Sequence, residues 1–270
     1  MTNEVEPQSI WIESHGLRLH AVDWGNPELP ALLLLHGLQD CARNWDGFAA
    51  AVRDRYHVIA LDHRGHGDSP WADTYHLEDY VAELAGVIEA LDLRDLTLMG
   101  HSAGGKNSFI YASRHPERLR RLLIVEMDPD AVNPGSATMF VRYKSESDDY
   151  PDLAAVVERI RSRQPRSSEA ILEHDAVHLT KPNASGGLTW KRDRNLVLKY
   201  ERPDAWEYLP KIAVPTLIVR GADSPLLTGP VAARMHEQIP GSLLVEIPDA
   251  GHWVHLEQPD RFREAVSRFL

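Results

Sequence analysis

The chain has 270 residues, 43% of them hydrophobic and 26% charged, and carries a formal net charge of −11. That balance suits a chain able to build a sizeable core, and the length fits one α/β domain with an insertion better than two independent domains. The acidity argues against a nucleic-acid surface and against polybasic membrane attachment, and the single cysteine, Cys41, excludes an intramolecular disulfide and a cysteine-based zinc site.

The opening residues "MTNEVEPQSIWIESHG" show neither the basic n-region nor the apolar h-region of a secretory signal, so a cytoplasmic location is expected. Residues 9–25 read as two short strands joined around Gly16. "ALLLL" (31–35) is far too short to span a bilayer and reads as a buried strand. "HVIALDHRGHG" (57–67) is another strand with a glycine-rich exit. Leu77, Val81, Leu84, Ile88 and Leu91 then follow at the spacing of one helix face. "LTLMG" (96–100) is a strand, followed by a helix that Pro116 closes, and "LRRLLIVEM" (119–127) is the next strand.

The pattern breaks from about residue 130 to 208, where strand-like runs are absent and charged amphipathic pieces such as "PDLAAVVERIRSRQ" predict helices. That segment holds 13 acidic and 12 basic residues, so the acidity of the chain lies elsewhere. Alternation resumes with a strand in "VPTLIVRG" (214–221), a helix at 229–239, a strand at 242–248 and a helix from about 257. Repeated strand–helix units predict a doubly wound, mostly parallel sheet built from residues 1–129 and 209–270, with a helical cap at 130–208 inserted between two strands.

"GHSAG" (100–104) lies where a strand turns sharply into a helix, the context that gives meaning to G-x-S-x-G. Neighbours two residues either side of a serine on so tight a turn must lack side chains that would clash. The turn exposes the Ser102 hydroxyl and sets a helix N-terminus under developing negative charge. Three further motifs accompany it: "LLLLHGLQDCARNW", "LDHRGHGDS" and "DAGHWVHLEQP". With these four in this order the chain resembles the α/β-hydrolase superfamily along essentially its whole length. The resemblance implies an eight-stranded α/β-hydrolase sheet, Ser102 as nucleophile, His252 as general base, and an oxyanion hole made by the backbone N–H groups of Leu38 and Ala103. His255 is the rival to His252, which the Gly-His pairing favours. His36 is expected to brace its loop. The histidines of "HRGH", with His36 and His57, are accounted for by the family's turn, so no metal is expected.

A triad also needs a carboxylate to fix the histidine tautomer and stabilise the imidazolium. The family's usual position for it follows the strand at 214–220, where this chain reads "GADS", with Ser224 in the acid's place and Asp223 one residue early. The family's second solution puts the acid at the end of the strand after the nucleophile helix. Glu126, 24 residues after Ser102, occupies that place, as in small bacterial esterases whose elbow also reads "GHS-x-GGK", with Lys106 here. A carboxylate ending the apolar run "LLIV" also needs a partner, and His252 would be one. Glu126 is therefore favoured, with Asp223 and Asp128 as alternatives.

The remaining features take plain readings. Cys41 is a small loop residue, Lys106 a surface residue or one behind the site, and "RIRSRQPR" (159–166) a solvated helix face. Met127, Phe140, Trp190 and Trp253 are candidates to line an apolar pocket over Ser102. The expected activity is cleavage of a small or medium uncharged ester or lactone through an acyl-enzyme, with no cofactor. Carbon–carbon bond hydrolysis and cofactor-free haloperoxidase (perhydrolase) chemistry share the triad. A small-molecule receptor with slow turnover is the rival of another class.

Overall fold

The computed structural model describes residues 6–270. In chain order the elements of the first half are strands β1 (Gln8–Ser14), β2 (Leu17–Asp23) and β3 (Ala31–Leu35), helix α1 (Asp46–Val52), β4 (His57–Leu61), α2 (Leu77–Ala90), β5 (Leu96–His101), α3 (Ala103–Arg114) and β6 (Leu119–Val125). There follow α4 (Pro134–Ser145), β7 (Asp149–Tyr150), α5 (Leu153–Arg161), α6 (Glu169–Leu179), β8 (Thr180–Pro182), β9 (Leu188–Trp190) and α7 (Asn195–Leu198). The chain closes with β10 (Thr216–Gly221), α8 (Gly229–Gln238), β11 (Leu243–Ile247), α9 (Val254–Glu257) and α10 (Pro259–Ser267).

Eight strands form one sheet in the order β1-β2-β4-β3-β5-β6-β10-β11, antiparallel at β1–β2 and β2–β4 and parallel across the rest. The apolar runs follow from burial of both faces. In β3, Leu33 and Leu35 point into a core with α2, α3 and α8, through Leu84, Phe109 and Met235. The alternate residues Leu32 and Leu34 point the other way, to Phe48 and Val52 of α1 and Phe262 of α10. Each such leucine contributes about 1.5–3 kcal/mol by leaving water, and truncating Leu33 to alanine would cost about 2–5 kcal/mol.

The segment between β6 and β10 stands outside this sheet. Its helices are started by local caps: Asn133 accepts from Ser136 N at 2.9 Å with Pro134 as the first helical residue, and Asp152 accepts from Ala155 N at 2.9 Å. The segment is not purely helical. β7, β9 and β8 pair antiparallel into a small three-stranded sheet, from strands too short to show alternation in sequence. Its apolar centre is Val156, Ile160, Leu172, Ala176 and Trp190, closed on the core side by Cys41. Among the described residues no helix is long and apolar enough to cross a membrane.

Candidate active site

The strand order places the site. β3, β5, β6, β10 and β11 are consecutive neighbours, and the loops at their carboxyl ends carry Leu38, Ser102, Glu126, Ser224 and His252 in turn. Residues far apart in sequence therefore meet at one sheet edge, where doubly wound sheets put their sites.

Ser102 follows β5 directly with φ +51, a region that costs a residue bearing a side chain on the order of 1–3 kcal/mol. The flanking glycines allow it. A Cβ on Gly100 would stand 2.3 Å from the Gly104 carbonyl oxygen, and one on Gly104 would stand 2.6 Å from the His36 carbonyl oxygen. Glu126 follows β6 in the same strained conformation, φ +52. Both are held by continuing the sheet ladder: Ser102 N donates to Val125 O and Glu126 N to Val219 O, each at 2.9 Å.

The Ser102 hydroxyl lies 3.0 Å from His252 Nε2, and His252 Nδ1 lies 3.2 Å from Glu126 Oε2. Glu126 is fully enclosed and accepts from Gly221 N at 2.6 Å and from Ser224 Oγ at 2.5 Å. The direction of the serine bond is set by its surroundings. Ser224 Oγ already accepts from Leu226 N at 3.2 Å and Leu227 N at 3.4 Å, so its own proton goes to Glu126. The serine standing where a carboxylate was expected thus supports the carboxylate on the neighbouring strand. When Glu126 is ionised and accepts, the His252 proton rests on Nδ1 and the lone pair of Nε2 faces Ser102.

Burial pushes both ionisable members towards their neutral forms. The Glu126 carboxyl is raised to about 8, with the Ser224 and Gly221 hydrogen bonds pulling against that rise. The His252 imidazole is pushed well below its ordinary value, first by burial and then by the neighbouring His101. A neutral imidazole is the form that takes a proton.

Leu38 and Ala103, from which main-chain donors are expected, line the same cavity as Ser102 and His252. The Gly37 carbonyl is drawn into its loop by Asp40 N at 3.1 Å and by His36 Nδ1 at 2.8 Å. In a trans peptide the next N–H points the opposite way, which turns Leu38 N–H out of the loop. Likewise the Ser102 carbonyl accepts from Lys106 N within α3, so Ala103 N–H points off the free end of the helix.

The other carboxylates stand apart from the histidine. Asp223 is about half exposed and pairs with Arg166 at 2.7 Å. Asp128 is buried and ion-paired with Arg202, and it accepts from Asn133 Nδ2 and Asp130 N, both at 2.9 Å. It ties the start of the insertion to its end. Met127 and Phe140 line the cavity at Ser102, together with Met139, Tyr200 and Arg202. Trp190 sits instead in the core of the insertion. Trp253 turns its Nε1 to Asp40 at 3.3 Å and packs in a T-shaped pair against His252, and it does not line the cavity at Ser102. Lys106 is buried, its Nζ on the Pro203 carbonyl at 3.1 Å. His255 stacks on Trp45, with ring centroids 4.4 Å apart.

Sequence reasoning missed one residue pair outright. Arg163, within the basic run read as a solvated face, is buried and pairs with the buried Asp40 at 3.1 Å. Asp40 Oδ2 also lies 3.6 Å from His101 Nδ1, and His101 Nε2 donates to the His252 carbonyl at 2.8 Å. This ion pair joins the insertion to three loops of the site. Nothing at short range in the sequence signals it.

The comparison with known proteins agrees with the architecture. A family profile described as alpha/beta hydrolase fold matches residues 30–259. The chain belongs to the alpha/beta hydrolase fold family. Among relatives in this family it is 28% identical to the sn-1-specific diacylglycerol lipase ABHD11 of Mus musculus, over 91% of this chain and 82% of that protein. It is 26% identical to 2-(acetamidomethylene)succinate hydrolase of Mesorhizobium japonicum, over 89% of this chain and 88% of that protein. The crystal structure of E-2-(acetamidomethylene)succinate hydrolase superposes with a TM-score of 0.91 at 25% identity, covering 97% of this chain and 98% of the other. Hydrolysis is the property that these relatives share by name.

Proposed function

We propose that this alpha/beta hydrolase is a serine esterase or lactonase acting on a small to medium uncharged substrate through an acyl-enzyme. The observation that carries the reading is the alignment of Ser102, His252 and Glu126, at 3.0 and 3.2 Å, with Ser224 donating to the carboxylate. Ser102 Oγ attacks the carbonyl carbon while His252 Nε2 takes its proton, and Glu126 stabilises the imidazolium. The oxyanion is met by the N–H groups of Leu38 and Ala103. Collapse of the tetrahedral intermediate expels the alcohol, which receives the proton from His252. Water activated by the same imidazole then releases the acid and restores Ser102. Residues 130–208 act as the cap; Phe140 of the cap and Met127 of the core present apolar contacts to the acyl group.

Hydrolysis of p-nitrophenyl acetate, butyrate and octanoate by the wild type and Ser102→Ala tests this reading. Multiple turnovers that vanish in the variant are expected, whereas a receptor would turn over at most once. A second reading, cleavage of a substrate bearing carboxylates, draws on the name of the Mesorhizobium relative and on Arg202 in the cavity wall. It predicts faster turnover of a succinate half-ester than of its neutral diester.

A further inference from the structure

A cavity of about 600 Å³ opens between α1 of the core and α6 of the insertion, and shares no lining residue with the cavity at Ser102. On its wall α6 presents His174 and His178, four positions apart and hence on one helix face, with ring centroids 4.4 Å apart. Asp46 of α1 faces them, and one ligating atom from each of the three lies within 4.8 Å of the others.

One feature separates this group from a chance cluster. Asp46 Oδ1 is buried without a hydrogen-bond partner, a state that costs free energy unless something occupies it. Its other oxygen, Oδ2, accepts from Arg43 Nε at 2.5 Å and lies 3.2 Å from His174 Nε2, which also lies 3.1 Å from the Arg43 carbonyl oxygen. The contrast is His20, Asp62 and Asp68, the other group with suitable spacing. There both oxygens of Asp62 are already taken, by His20 Nδ1 at 2.7 Å, Ala42 N at 2.7 Å and Asp68 N at 3.0 Å.

We infer that Asp46, His174 and His178 form a binding site for a divalent transition ion of the zinc class, which clips the inserted segment to the core. Two imidazoles and one carboxylate are a ligand set that suits zinc in tetrahedral coordination, and the open cavity admits water as the fourth ligand. His174 Nε2 exchanges its present contacts for the ion, and Asp46 Oδ1 gains the partner that it lacks. The site lies beside an existing dock: Asp175 of α6 accepts from Asn44 Nδ2 and Gln164 Nε2, both at 2.8 Å.

The test is calorimetric titration of Zn²⁺ into the full chain, with His174→Ala and His178→Ala alongside and folding checked by circular dichroism. Melting temperatures are read with and without the ion. The wild type should bind one ion per chain and melt higher when loaded, and either variant should lose at least about tenfold in affinity and the thermal shift with it. Cobalt in place of zinc should show the visible bands of a tetrahedral ion, absent in both variants. No binding by the wild type at about 100 µM free zinc, or the same affinity and stoichiometry in both variants, would overturn the assignment.

Discussion

Replacing Ser224 by alanine removes one hydroxyl that touches neither Ser102 nor, in the proposed mechanism, the substrate. Its bond to Glu126 is 2.5 Å long and buried, and its two acceptor sites are filled by Leu226 and Leu227 N–H, so the whole donor is spent on the carboxylate. A hydrogen bond to a charged group is worth about 1.5–3 kcal/mol. Lost from the ionised form of Glu126, that amount lowers kcat/KM about 10- to 100-fold. It also lifts the acid limb of the pH profile by roughly 1–2 units. Burial already holds the Glu126 carboxyl at about 8, so the wild-type limb should fall near there as a property of the His252–Glu126 pair, and the variant's limb higher. The assay is kcat/KM on p-nitrophenyl butyrate across that range, well below the melting temperature, since Leu226 and Leu227 N–H also lose their acceptor. Activity within about threefold of wild type with an unmoved limb would refute the reasoning.

Three further outcomes are expected. Glu126→Gln should melt above wild type at alkaline pH: the folded carboxyl titrates at about 8 against an ordinary 4.5, so its contribution to stability is full below the lower value and lost as pH rises through the higher. A melting difference that does not grow between those limits would contradict burial as the cause. Asp40→Asn leaves Arg163 buried without its charged partner and should cost about 3–5 kcal/mol, seen as a fall in melting temperature of roughly 10 °C; a change under about 2 °C would count against the buried pair. Gly100→Ala, whose methyl group would stand 2.3 Å from a backbone oxygen, should fail to give folded, active protein; near-normal kcat would show that the turn relaxes.

The sheet and the sharp turn at Ser102 were legible because their signals are local. Runs such as "ALLLL" and "LLIV" state two-sided burial, and the glycines around Ser102 state the turn in five residues. Glu126 was readable from its place at a strand end, and Ser224 as the residue standing where an acid was expected. Its service to Glu126 was not, because the two lie 98 positions apart and meet only through the pairing of β6 with β10. The same holds for Arg163 and Asp40, which join the insertion to the core across a separation that no pattern records. Trp190 shows the converse. An aromatic in the insertion serves its own small core as readily as a pocket, and only the pairing of β9 with β7 and β8 decides between them.

The central claim is that Glu126, and not Asp223, completes the relay to His252. Its most direct test is kcat/KM of Glu126→Gln and Asp223→Asn on p-nitrophenyl butyrate, beside wild type. Removing the carboxylate charge that orients a catalytic histidine costs on the order of 10³–10⁴-fold, so Glu126→Gln should fall by that much. Asp223, half exposed and paired with Arg166, should change activity by less than about threefold on becoming asparagine. The reverse pattern, with Asp223→Asn crippled and Glu126→Gln active, would contradict the account.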